Sequence, residues 1–189
     1  MKKLKGAEAT VTISEEVEKD RKEKNYRHPD IDEKIRTERT DQETRLMEKA
    51  QKYGVKTPEI LSKEETSFQM QKINGKQLKE IMEQQPETIE KLASQVARLH
   101  SADIIHGDLT TSNAIYTGEE VYLIDFGLAF HSNRVEDKAV DLHLLKQILR
   151  TSHAQKENLW TLFEQKYKEE ADEKVLNKLP KIEERARYK

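Results

Sequence analysis

The 189-residue chain has no cysteine. That excludes disulfides, thiolate metal sites and cysteine nucleophiles together, and the plainest compartment is the cytoplasm. No run of about 18 apolar residues is present, so no membrane partner is expected. The opening MKKLKGAEATV has a basic pair but lacks the apolar segment of a secretory signal. Proline (4) and glycine (6) are few, and neither an internal repeat nor a low-complexity linker is present. An excess of one charge is also missing: 34 Lys and Arg against 36 Asp and Glu leave −2, which excludes a histone-like basic protein or an acidic tail. Apolar residues make up only 34% of the chain, and its mean hydropathy is −0.95. Those values approach a disordered composition. The charges are balanced, however, and the apolar residues cluster, which predicts folded lobes under a densely charged surface. Such a surface resembles those of heat-tolerant proteins.

Short β-branched pieces over residues 4–20 (Leu4, Val11, Ile13, Val17) predict two or three small strands. A charged loop follows over 19–27. A sparse helical stripe then runs over 31–53, ended by Lys56-Thr57-Pro58. Ile60, Leu61, Phe68, Met70 and Ile73 predict strands over 59–73 before the Asn74-Gly75 turn. Leu78, Ile81 and Met82 mark a short helix. Pro86 opens a longer one, with Ile89, Leu92, Ala93, Val96 and Leu99 on its buried face. A hairpin over 114–124 carries a motif-rich loop on each side, and helices are expected near 137–151, 155–170 and 173–186. This order predicts an α+β fold with a small N-terminal sheet and a helical C-terminal part.

The chemistry concentrates in residues 104–127. Ile104-Ile105-His106-Gly107-Asp108-Leu109-Thr110-Thr111-Ser112-Asn113 is followed, twelve residues after Asn113, by Asp125-Phe126-Gly127. Phosphoryl transfer needs hard oxygens for Mg²⁺ and a carboxylate that orients the nucleophile. Asp108, Asn113 and Asp125 supply that set. Taken singly, each acid reads as a turn cap; the ordered pair of motifs resembles the protein-kinase signature, with Gly107 where most protein kinases carry arginine. Such a site needs a strand lysine paired with a helix glutamate. Lys19 and Glu43 are the candidates, although a solvated lysine and a surface helix acid are their ordinary readings. Lys5-Gly6-Ala7-Glu8-Ala9 has a single glycine, at which backbone N–H groups can still meet a phosphate.

These residues together resemble the PRPK family, the small atypical kinase/ATPase of the KEOPS complex. The most specific parts are His106-Gly107-Asp108-Leu109-Thr110-Thr111-Ser112-Asn113 and Val135-Glu136-Asp137-Lys138-Ala139-Val140-Asp141-Leu142. The match runs in order along the chain, through Tyr26-Arg27, Ile73-Asn74-Gly75 and the basic end Arg185-Ala186-Arg187-Tyr188-Lys189. The resemblance implies a minimal bilobal kinase fold, with an N-lobe over 1–73 and a reduced C-lobe over 74–189, that binds ATP and Mg²⁺. It implies Lys19 on the ATP phosphates with Glu43 as its ion partner, and Gly6 and Ala7 in the phosphate turn. Asp108 would be the base or orienter, with Asn113 and Asp125 as Mg²⁺ ligands. The linking strand (Met70, Gln71, Lys72, Ile73) would face adenine through its backbone. The implied partners are the tRNA threonylcarbamoyl transferase subunit and other KEOPS subunits. ATP turnover would support modification of adenosine 37, with weak Ser/Thr phosphorylation.

Residues 128–136 are too few for a long activation segment and no Ala-Pro-Glu follows, so a peptide platform is not expected and a partner is the expected regulator. The six histidines show no zinc spacing, and His106 is expected to brace its loop. Trp160, Phe163 and Tyr167 share a helix face and are expected in the core. The run Lys19, Arg21, Lys22, Lys24, Arg27 reads as a solvated loop, with a tRNA-facing patch as the alternative. Arg185, Arg187 and Lys189 read as a flexible tail able to meet RNA phosphate. Two other functions compete: a nucleotide-binding scaffold without turnover, and a small-molecule phosphotransferase of the aminoglycoside/choline type.

Overall fold

The computed structural model describes residues 2–6, 8–153 and 158–187, the side chain of Arg187 apart. Three strands open the chain: β1 (Lys2–Lys5), β2 (Thr10–Ile13) and β3 (Glu16–Asp20). In β3 the strand period turns Lys19 inward while Glu16 and Glu18 face solvent. Helix α1 (Pro29–Lys52) begins two residues before the expected 31. Pro29 explains the earlier start, because its fixed φ suits the first turn. Asp30 and Asp32 in that turn, with Lys49 and Lys52 in the last, complement the helix dipole.

Strands β4 (Ile60–Lys63) and β5 (Ser67–Gln71) complete an antiparallel five-stranded sheet in the order β1-β2-β3-β5-β4, with Lys19 opposite Phe68. Then come β6 (Lys76–Gln77), α2 (Leu78–Ile81) and α3 (Thr88–Ser101). Pro86 lies in the turn before α3, not in the helix, and its carbonyl accepts the Ile89 N–H. Strand β7 (Ile104–Ile105), a 3₁₀ turn at Thr111–Asn113, β8 (Ala114–Tyr116), β9 (Val121–Leu123) and β10 (Phe130–His131) follow. β8 and β9 form the expected hairpin, β6 adds to its edge, and β10 pairs with β7. The chain closes with α4 (Val135–Ser152), α5 (Leu159–Glu170) and α6 (Glu173–Arg187).

The core sits mainly in the helical part. Ile89, Leu92, Ala93, Val96 and Leu99 are fully buried, as their helical spacing predicts. Phe163 and Tyr167 are also fully buried, while Trp160 packs partly buried beside them. The segment after α1 is tied to this part most closely at Lys56. The Lys56 N–H donates to buried Gln95 Oε1 at 2.7 Å, and its carbonyl accepts the Leu123 N–H at 2.9 Å.

The expected solvated loop is partly structural. Arg21 is 3% exposed. Buried Asp32 accepts from Arg36 Nε at 2.8 Å, from Arg27 and from the Lys24 N–H, which straps the loop to α1. The polar run hid this because its partners lie on the next helix: Asp32 in its first turn, and Thr40 and Glu43 further along it.

Candidate active site

Lys19 on β3 and Glu43 on α1 meet with Nζ 2.7 Å from Oε1. Lys19 is 7% and Glu43 2% exposed, so the pair lies outside bulk solvent, where attraction between charges is strong. Nζ also donates to Asp125 Oδ1 at 2.8 Å. The other Glu43 oxygen accepts from Arg21 Nη2, whose Nε donates to Thr40 Oγ1 at 3.2 Å. Glu43 therefore carries one cation on each oxygen.

Asp125 stands at φ +60, an uncommon value for a non-glycine residue and a form of backbone strain that concentrates at functional sites. Its half-exposed side chain faces a cleft. Burial works to raise its carboxyl pKa; the charge and hydrogen bond of Lys19, with the Gly127 N–H and His106 adding to them, outweigh that, and the net shift is downward.

Asp108 lies in the loop between β7 and the 3₁₀ turn. Asn113 Nδ2 donates to the Asp108 carbonyl and to Asp108 Oδ2, both at 2.9 Å. Its amide nitrogen is thereby committed, which leaves the side-chain oxygen to accept a cation. His106 is fully buried and its Nε2 meets the Ile124 carbonyl at 3.1 Å, the bracing role expected of it. Gly107 has φ +78, and a β-carbon there would drive into the Leu128 carbonyl oxygen. In this chain a side chain at 107 has no room unless the Leu128 backbone shifts.

A cleft of about 410 Å³ is lined by Gly6, Lys19, Arg21, Asp108, Asp125 and Gly127, among others. Gly6 turns back on the chain, its N–H donating to the Ala9 carbonyl at 2.9 Å. Glu43 lies behind Lys19, and Asn113 behind Asp108. Ala7 lies outside the described residues. Met70, Gln71 and Ile73 do not line this cleft. β5 is paired on both sides through Met70, and the Gln71 N–H is spent on the Glu59 carbonyl at 2.8 Å. Only from Lys72 onward does the chain leave the sheet.

Asp125 and Asn113 offer one carboxylate and one amide oxygen. That sparse, hard donor set suits Mg²⁺, which keeps several waters. Among the described residues, no three acids or histidines gather as a denser cation cage.

Three contributors had no site role in the sequence reading, although Asp141 lies in the Val135–Leu142 segment that carries the resemblance. Asp141 on α4 accepts the His106 N–H at 2.8 Å and the Gly107 N–H at 3.0 Å, one on each oxygen. Gln42 on α1 donates to the Ala129 carbonyl at 2.7 Å, tethering the helix to the segment after Asp-Phe-Gly. Arg21 is the third. A signal existed for Asp141: it shares the four-residue stripe of buried Leu145 and Leu149, an acid on an apolar face.

A small twisted sheet over a helical part, with a buried strand-lysine/helix-glutamate pair facing two loop acids across a cleft, is the arrangement of the protein-kinase-like fold. The RIO domain family model matches residues 4–176. An Archaeoglobus fulgidus protein named "Probable serine/threonine-protein kinase BUD32 homolog" is 38% identical over 100% of this chain and 96% of its own. The Pyrococcus abyssi "KEOPS complex subunit Bud32" is 39% identical over 81% of this chain and 78% of its own. A Methanosarcina barkeri "Probable bifunctional tRNA threonylcarbamoyladenosine biosynthesis protein" is 42% identical over 97% of this chain. The chain spans about a third (35%) of that bifunctional relative's length. Among solved structures, Rio2 kinase of Chaetomium thermophilum, as its ADP/Mg²⁺-phosphoaspartate complex, superposes with a TM-score of 0.66 at 15% identity. That superposition covers 79% of this chain and 54% of the other. The chain belongs to the RIO-domain family, within its Bud32/PRPK branch.

Proposed function

We propose that this chain binds Mg-ATP in the cleft and transfers its γ-phosphoryl group to water or to a protein serine or threonine hydroxyl. As a KEOPS subunit beside the threonylcarbamoyl transferase, it would thereby support modification of adenosine 37 in tRNA. The observation that carries this reading is the Lys19 ammonium held between Glu43 and Asp125, in the cleft that Asp108 also lines. The names of the three relatives support the complex and the tRNA pathway. The ADP and Mg²⁺ named for the Rio2 complex support the cofactor.

Lys19, oriented by Glu43, neutralises ATP phosphates; Gly6, its own N–H held by the Ala9 carbonyl, shapes the turn along the cleft, and Ala7 next to it is the backbone N–H assigned to a phosphate. Asp125 and Asn113 would hold Mg²⁺, which would supply charge neutralisation for the transferred group. Asp108 accepts the nucleophile's hydrogen and aims its oxygen at phosphorus; the P–O bond to ADP breaks as the new one forms. The adenine edge falls to Ile73 and its neighbours beyond the ladders, with Met70 and Gln71 behind them. The lobes divide at 73/74, in the linker between β5 and β6. The compartment is the cytoplasm, and no helix of the described residues is long and apolar enough to cross a membrane. The basic end offers Arg187 and Lys189 to tRNA phosphate, Arg185 being paired with Glu136.

The test is Mg²⁺-dependent phosphate release from ATP by the chain alone and with its tRNA-modifying partner, for wild type and Asp108→Ala. Partner-stimulated release that falls by about a thousandfold or more in the variant supports the reading, since each tenfold is about 1.4 kcal/mol of barrier. ATP binding without release above the variant leaves a scaffold instead. Phosphorylation of a small alcohol would point to the third class.

A further inference from the structure

Three polar side chains outside the proposed chemistry form a buried chain across the helical part. Tyr167 on α5 is fully buried, His100 at the end of α3 is 2% exposed, and Asp141 on α4 is 2% exposed. Tyr167 Oη lies 2.8 Å from His100 Nδ1, and His100 Nε2 lies 3.3 Å from Asp141 Oδ2. Asp141 then takes the N–H groups of His106 and Gly107, the two residues that precede Asp108.

The direction of each bond follows from the chemistry. An ionised carboxylate only accepts, so Nε2 carries the hydrogen toward Asp141. With Nε2 given to Asp141, Nδ1 is the ring nitrogen left for the Tyr167 hydroxyl, which donates to it. Burial, with the Asp141 charge behind it, pushes the Tyr167 phenol up, so it stays a donor throughout the neutral range. The imidazole is thus pinned at both nitrogens. Three polar groups in an apolar core are costly unless each is satisfied. Here each is satisfied only by the other two and by the loop backbone.

We propose that Tyr167, acting through His100 and Asp141, is a positioning residue for the Asp108 loop, so that α5 sets the placement of the reacting carboxylate. The proposal rests on the reading that Asp108 performs the chemistry. The lever is short: His106 and Gly107 are consecutive with Asp108, and small misplacements of a reacting group are expensive.

Tyr167→Phe removes the hydroxyl alone, and two readouts are taken. Hydrogen exchange at the His106 and Gly107 amides is measured without nucleotide, and kcat and KM for ATP are measured with the partner present. Faster exchange at those two amides, with kcat down about tenfold and KM within about twofold, is the expected result. That loss is what one buried hydrogen bond missing from the transition state costs, about 1.4 kcal/mol. His100→Gln is the second variant; it keeps an N–H for Asp141 and removes the imidazole that Tyr167 addresses. In that background Tyr167→Phe should change kcat no further, because groups acting in series do not add. Unchanged exchange and unchanged kcat beside a lowered Tm would overturn the proposal, leaving a structural polar cluster. Additive losses in the double variant would overturn it as well. Asp108→Ala in the same assay separates the two readings. If that variant keeps full turnover, the chemistry has been misassigned, while amide exchange still decides the relay.

Discussion

Glu43 is shared by two cations, and that sharing sets what each substitution costs. Glu43→Gln leaves buried Arg21 without its counter-ion and Lys19 with Asp125 alone, and should destabilise the fold by about 3 kcal/mol, as breaking a buried pair does. Lys19→Met keeps the Arg21–Glu43 pair, so it should cost about 1 kcal/mol while abolishing turnover. Urea midpoints of the two variants, read beside phosphate release, check this order; a larger loss for Lys19→Met would contradict it. The glycines separate in the same way. Gly118 has φ +105 with open space around its α-carbon, whereas Gly107 combines φ +78 with the Leu128 carbonyl. Gly118→Ala should cost about 1 kcal/mol from φ strain alone. Gly107→Ala should cost about 3 kcal/mol or more, because backbone must move as well. Lys19, Asp108, Asn113 and Asp125 were legible as candidates because phosphoryl transfer accepts few residue types in few orders. Arg21 was not, because a cation in a basic run carries no mark of which way it points.

At the scale of elements, α4 reaches the active loop through one acid. Burial works to raise the Asp141 carboxyl pKa. The hydrogen bond from His100, the electrostatic attraction of the His100 and His106 rings and the His106 N–H outweigh it, so the group is held below its usual range. A depressed carboxyl pKa contributes stability above its unfolded value of about 4, and that stability is lost as pH falls through the folded value. Asp141→Asn should therefore be markedly less stable than wild type near neutrality, with the gap closing below about pH 4; chemical denaturation across that range measures it. The segment after Asp-Phe-Gly is held with comparable economy. β10 pairs with β7, Gln42 holds the Ala129 carbonyl, and the Asp103 carbonyl takes the Ser132 N–H at 3.0 Å and His131 Nδ1 at 2.8 Å. Gln42→Leu removes the tether from α1 without touching the cleft. Turnover should fall about fivefold with less than about 1 kcal/mol of stability lost, the size of one part-exposed hydrogen bond. The apolar stripes of α3 and α4 were readable from spacing. The polar residues set within them, Gln95, His100 and Asp141, were readable only as exceptions, since their partners lie on other elements.

At the scale of the molecule, the cleft exists because Lys19 and Asp125, 106 positions apart, are drawn together. The basic end behaves differently from the flexible tail expected of it. Helix α6 runs to Arg187, and Arg185 Nη1 lies 2.6 Å from Glu136 Oε1 in the first turn of α4. Arg185 is thus already paired, and Tyr188 and Lys189 lie outside the described residues. If the end meets tRNA phosphate, Arg187→Ala with Lys189→Ala should weaken tRNA binding and lower its salt slope by about 2, one unit per phosphate contact released. Affinities measured over a salt series, with the partner present, test it; an unchanged slope removes the tail from the RNA surface.

The sequence by itself determined the strand and helix order, the apolar faces and the ordered Asp108, Asn113 and Asp125 that point to phosphoryl transfer. Each of these is written in local spacing or in the narrow choice of chemistry. Only the tertiary structure decided that Glu43 serves two cations, that Gly107 has no room for a side chain and that Asp141 holds the loop. Those are contacts between residues distant in the chain, and their energies depend on burial that no local pattern encodes.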